Sequence, residues 1–146
     1  MILQRDQRFI EPYRDEGCYL EVHLWYINML TNYPMDPKEI NEWISRAIDR
    51  GWIDPDCYVR NTNAIFDDFD TPLQLRIDGP NGHKFPPDYQ CAPDEYEALL
   101  WFSERWGTHH FTAGNGTGIV TLDPWGESRT VRDGELRSKR IFRRIA

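Results

Sequence analysis

His109-His110-Phe111-Thr112-Ala113-Gly114-Asn115-Gly116-Thr117-Gly118-Ile119-Val120-Thr121-Leu122-Asp123-Pro124-Trp125 reads as two short strands joined by a glycine-rich turn. A histidine opens the first strand and an aspartate closes the second. Thirteen positions separate His110 from Asp123. That spacing suits neighbouring antiparallel strands and brings an imidazole beside a carboxylate able to orient it. Such a pair becomes chemistry only with a nucleophile, and Cys18 is the candidate. Cysteine catalysis needs a base for the thiol proton and a group that orients the base.

Cys18 follows the polar lead-in Tyr13-Arg14-Asp15-Glu16-Gly17 and opens the run Cys18-Tyr19-Leu20-Glu21-Val22-His23-Leu24-Trp25-Tyr26-Ile27-Asn28-Met29-Leu30. This run is apolar on nearly every face, which predicts a central, buried helix. Cys18 then lies in its first turn, where unpaired N–H groups and the helix dipole favour negative charge. A thiol so placed is a better nucleophile at neutral pH. Position alone favours the simpler reading, a cysteine that merely begins a core helix. His23, on the same helix, is expected as a hydrogen-bonded core residue. His109 should point to the opposite face from His110 and be exposed.

The rest of the chain predicts one domain over residues 1–146. Residues 1–12 read as an extended arm or short strand. Asp36-Pro37-Lys38-Glu39 carries helix-start signals, with Asp36 as cap and Glu39 completing a capping box. Ile40, Trp43, Ile44, Ala47 and Ile48 follow at helical spacing until Gly51. Cys57-Tyr58-Val59 reads as a short strand, and Asn63 as the cap of a single helical turn. Asp67, Asp68 and Asp70 lack the glycine and distal glutamate of a calcium loop and read as a solvated face. Leu73–Ile77 alternates as a strand. Residues 95–102 admit helix or strand, and pairing with the His110 segment favours strand. Short strands are expected around Thr130-Val131 and Ile141-Phe142, joined by a hairpin turn at Asp133-Gly134. Helices early and strands late make an α+β fold on a mainly antiparallel sheet.

Composition bounds the function. Net charge is −7, but seven basic and two acidic residues follow Arg129 onward. The acidic body argues against nucleic-acid binding. The basic tail can hold a phosphate or an acidic partner, but reads better as a last edge strand with outward basic side chains. No apolar run approaches the roughly 20 residues of a membrane helix. The first residues lack the apolar core of a signal peptide, so the expected location is cytoplasmic. Cysteines at 18, 57 and 91 show no C-x-x-C spacing, and neither zinc nor another cofactor is expected.

Tyr13-Arg14-Asp15-Glu16-Gly17-Cys18-Tyr19, the segment from Gly51-Trp52-Ile53 to Cys57-Tyr58-Val59, and His110-Phe111 through Asp123-Pro124-Trp125 together resemble papain-like cysteine peptidases. The likeness is to the bacteriocin-processing, double-glycine leader peptidase branch and to small phage or prophage proteins within it. The resemblance implies a papain-like domain, with Cys18 as nucleophile, His110 as general base and Asp123 as the orienting residue. It implies hydrolysis of an amide bond in a peptide or protein, in a host cytoplasm or a virion. The family usually carries a glutamine shortly before the cysteine as oxyanion donor. Here Glu11, Pro12, Tyr13 and Arg14 stand instead, so Gln4, Gln7 and Arg14 are the oxyanion candidates, with Tyr13 as another substitute. The alternative is a catalytically silent relative, a virion component or host-interaction factor binding through the same fold.

Overall fold

The structure is a computed structural model that describes residues 2–145. It comprises α1 (Glu11–Glu16), α2 (Cys18–Thr31), α3 (Pro37–Asp49), α4 (Thr62–Asp68), β1 (Leu73–Leu75), β2 (Glu95–Ser103), β3 (Thr108–Gly114), β4 (Val120–Leu122), α5 (Arg129–Asp133) and β5 (Glu135–Arg144). The five strands form one antiparallel sheet in the order β1-β5-β2-β3-β4. Four helices precede the first strand and only the short α5 interrupts the strands, an α+β arrangement as the order of apolar patterns predicts.

α2 is the element the sheet is built against. Leu20, Val22, Leu24, Tyr26 and Ile27 are all buried, as its nearly continuous apolar surface requires. Tyr19 stacks on Phe111 of β3 with ring centroids 4.2 Å apart. Two turns on, the Tyr26 hydroxyl donates to the Glu97 carbonyl at 2.6 Å, locking the helix to β2. Asn32 ends the helix in the left-handed conformation at φ 58°.

α3 starts where its capping signals lie. Asp36 accepts from the Glu39 N–H at 3.2 Å, and Pro37 occupies the first turn. The Glu39 carboxylate meets the Tyr33 hydroxyl at 3.4 Å. Ile40, Trp43, Ile44 and Ala47 are buried, and each of the larger side chains contributes about 1.5–3 kcal/mol by leaving water. Asp67, Asp68 and Asp70 are exposed, with Asp68 accepting from the Trp43 indole at 2.8 Å.

Several expectations are corrected. The arm before Cys18 is not extended: it turns twice and enters α1, with Pro12 in the helix's first turn rather than ending a strand. α4 is capped by Asn61, which accepts from Ala64 N–H, whereas Asn63 binds the Leu75 N–H. Thr130-Val131 belong to α5, because the Ser128 side chain accepts from the Val131 N–H and nucleates a turn that their β-branched propensity alone would not favour. Gly134 accordingly leads from α5 into β5 and makes no hairpin.

The largest correction is β5. It is an interior strand, flanked by β2 on one side and by β1 and Phe85 on the other. Its basic residues therefore do not all face solvent. Lys139 is fully buried and donates to the Glu97 carboxylate at 2.8 Å and to the Tyr89 carbonyl at 2.7 Å. Glu97 in turn accepts from the N–H groups of Gly116 and Gly118 at 3.0 and 2.9 Å. Both glycines have positive φ, 97° and 89°. The glycine-rich turn of the opening stretch is thus a backbone cradle for a buried carboxylate.

Candidate active site

β3 carries His109, His110 and Phe111 in succession, and alternation separates His110 from its two neighbours. His109 is exposed and packs on Phe102 at 4.6 Å. His110 is buried, with 2% of its surface accessible. Its Nε2 meets the Asp123 Oδ1 at 2.7 Å. The return strand β4, pairing Leu122 with Ala113, delivers Asp123 to that position. Asp123 also accepts from the N–H groups of Trp125 at 2.9 Å and Ser128 at 3.0 Å. Burial alone would raise its pKa, but the His110 hydrogen bond and charge and these two N–H groups hold it below the ordinary aspartate value. It is therefore an ionised, fixed acceptor. The Trp125 ring packs against the imidazole, with ring centroids 5.0 Å apart and the planes tilted by 49°.

Because Nε2 is committed to Asp123, Nδ1 is the ring nitrogen left for a reacting group. Cys18 and His110 line the same cavity of about 240 Å³, with Tyr19, Tyr58 and Phe111 among its walls. Cys18 is half-buried. Burial depresses the imidazole's basicity, but the hydrogen bond to Asp123 and the adjoining Cys18 thiol overcome this, and the pKa of His110 rises to about 9. A raised imidazole pKa beside a thiol is the pairing that a cysteine nucleophile and its base require.

The other thiols are of a different kind. Burial pushes Cys57 up to about 12. Burial, then the negative charge of Glu97, pushes Cys91 to about 12. His23 is a core residue: its Nδ1 meets the Tyr19 carbonyl at 2.8 Å, its Nε2 meets the Thr62 hydroxyl at 3.0 Å, and burial lowers its pKa to about 4.

None of the three oxyanion candidates lines the cavity that holds Cys18. Gln4 is fully buried and its carboxamide donates to the Arg14 carbonyl at 3.1 Å. Gln7 is exposed and accepts from Arg14, which is half-buried. The arm has another role. The Gln4 N–H donates to the Pro124 carbonyl at 2.9 Å, and Arg5 lies over the Trp125 ring at 4.7 Å, so residues 4 and 5 pin the loop that carries Asp123. A free N–H is available in the backbone instead. Cys18 is the first residue of α2, and its N–H is one of the four that a helix leaves without an intrahelical acceptor.

Glu21 is the titratable residue that pattern reading passes over. It lies one turn beyond Cys18, fully buried, with the Tyr13 hydroxyl donating to Oε1 at 2.9 Å. Burial raises its pKa to about 8, against opposing hydrogen bonds from Tyr13 and the Gln4 backbone and the nearby His110 charge. The available signal was an acidic residue on an otherwise apolar helix.

The chain belongs to the family described as "Protein of unknown function, DUF261", which matches residues 1–144. No curated protein and no solved structure matches it.

Proposed function

We propose that the protein is a papain-like cysteine peptidase or amidase acting through Cys18, His110 and Asp123. The observation that carries this reading is a buried His110, fixed through Nε2 by an ionised Asp123, sharing a cavity with the thiol at the head of α2. A helix that presents a cysteine at its N-terminus to a histidine on an antiparallel sheet also supports the papain-like resemblance.

The Cys18 thiolate attacks the carbonyl carbon of an amide, forming a C–S bond while the carbonyl oxygen takes up negative charge. The Cys18 N–H stabilises that oxygen. His110 gives its Nδ1 proton to the departing amine as the C–N bond breaks, leaving a thioester. A water molecule then loses a proton to His110 and attacks the thioester. The carboxylic acid leaves and the thiolate–imidazolium pair is restored. Asp123 holds the ring in the orientation that both proton transfers require.

Iodoacetamide at neutral pH tests the reading. Cys18 is expected to be alkylated at least about tenfold faster than Cys57 and Cys91, which burial keeps in the thiol form. Equal, slow labelling of all three overturns it. The commitment of Gln4 to Arg14 favours one competing reading, a silent binding protein on the same fold. Rapid labelling of Cys18 together with no loss of biological activity in Cys18→Ala would select that alternative.

A further inference from the structure

A larger cavity of about 520 Å³ adjoins the Cys18 cavity, and Tyr19, Tyr58, Val59, His109 and Phe111 line both. Its far wall is basic. Arg60, Lys84 and Arg140 line it, and among the described residues no aspartate or glutamate does, in a chain whose net charge is −7. Arg60 is paired with Asp54 at 2.7 Å. Arg140 has no carboxylate partner among the described residues. It is 7% exposed, on an interior strand, with its guanidinium 5.6 Å from the Phe111 ring centroid. Among the described residues only its Nη1 is engaged, by the Ser138 hydroxyl at 2.9 Å and the Lys139 carbonyl at 3.3 Å. Burying a guanidinium without an anion is unfavourable. Burial indeed lowers its pKa from the usual arginine value. A planar donor fork left open at Nε and Nη2, beside an aromatic wall, matches a carboxylate.

We propose that this cavity is a substrate subsite that takes a carboxylate of the peptide beside the scissile amide, with Arg140 as its principal anchor and Lys84 as a second positive charge at the rim. The inference rests on the cysteine-peptidase reading and names the substrate class for it: a peptide with an acidic residue, or a free terminal carboxylate, next to the bond attacked by Cys18. Tyr19 and Phe111 would pack against the aliphatic part of the side chain. Arg140 is a binding residue here, one cavity away from the reacting atoms.

Affinity alkylation tests the subsite apart from the chemistry. Cys18 of the full chain is labelled with four reagents: the N-iodoacetyl derivatives of glutamate α-amide, glutamine α-amide, lysine α-amide and free glutamine. The glutamate α-amide reagent is expected to react at least about tenfold faster than its glutamine counterpart, the size of one charge-assisted hydrogen bond. The lysine reagent should be slowest, and the spread should shrink as salt is raised. A free glutamine reagent faster than the glutamate amide assigns the subsite to a terminal carboxylate; a slower one assigns it to an acidic side chain. In Arg140→Gln the glutamate-to-glutamine ratio should fall toward one, and Arg140→Lys should restore part of it. If Arg140→Gln does not fold, the wild-type series and Lys84→Gln still decide. Equal rates for acidic, neutral and basic reagents, with Cys18 still reacting quickly with iodoacetamide, overturn the subsite alone. A Cys18 slow toward iodoacetamide overturns the peptidase reading beneath it.

Discussion

Two carboxylates near Cys18 are tuned in opposite directions, and each gives a pH test. Asp123 is ionised and holds His110 charged up to about pH 9. On the proposed cysteine-peptidase reading, the imidazolium must protonate the leaving amine, so activity should fall on an alkaline limb near that value. Asp123→Asn removes the negative charge that sustains the imidazolium. His110 should then titrate at least about one unit lower by NMR, a change of roughly 1.4 kcal/mol, and the limb should move with it. An unmoved imidazole pKa would show that Asp123 does not act on His110. Glu21 is the opposite case, since burial favours its neutral form. Its folded pKa of about 8 lies above the ordinary glutamate value, so the folded state binds a proton that the unfolded chain has released. Stability therefore declines as pH rises from about 4.5 to about 8. Glu21→Gln cannot ionise, so it should lose this decline and gain on the order of 2 kcal/mol relative to wild type at pH 8. Urea unfolding at pH 5 and pH 8 reads the difference; identical pH slopes for the two proteins would refute it.

Elements were legible in the sequence where one local rule decided them. α3 carries its cap, its proline and its apolar stripe within fourteen positions, and it forms as those signals direct. The β3–β4 hairpin follows from alternation interrupted by glycines, and this placed His110 beside Asp123. α2 was readable because a run apolar on every face has nowhere to go but the interior. Where two local signals compete, a tertiary contact settles the matter. Thr130-Val131 favour strand, but Ser128, whose N–H is already bound to Asp123, caps a helical turn there. Residues 95–102 were undecided by propensity and become β2 because β3 and β5 pair on both sides. β5 shows the limit most clearly. Basic side chains suggested an edge, yet Glu97 is 42 positions from Lys139, and no local pattern announces that pairing. Arg140 escaped notice for the same reason, because its meaning depends on a cavity assembled from α2, the 58–60 segment, β3 and the 83–84 loop. The missing glutamine before Cys18 was legible as an absence; that the arm instead ties down the Asp123 loop was not.

Across the whole molecule, one buried ion pair joins the parts that must stay in register for the site to exist. Glu97 and Lys139 are both fully inaccessible and tie β2 to β5. The same Lys139 ammonium holds the Tyr89 carbonyl in the 83–93 loop, and the same carboxylate holds the turn between His110's strand and Asp123's. A buried pair is weak evidence for net stability, because desolvating both charges offsets much of their attraction. Removing one partner is different, since it strands the other without a counter-charge. Lys139→Met should destabilise the protein by about 3–5 kcal/mol. Adding Glu97→Gln should recover a large part of that loss, because the amide oxygen still accepts from Gly116 and Gly118 while no charge is left buried. Urea denaturation of wild type, both single variants and the double variant reads the coupling. A double variant as unstable as the sum of the singles would make the two residues independent. If they are coupled as the geometry requires, Lys139→Met should also slow Cys18 alkylation well below the wild-type rate, and the double variant should restore it. The turn that Glu97 organises is what carries Asp123 back to His110.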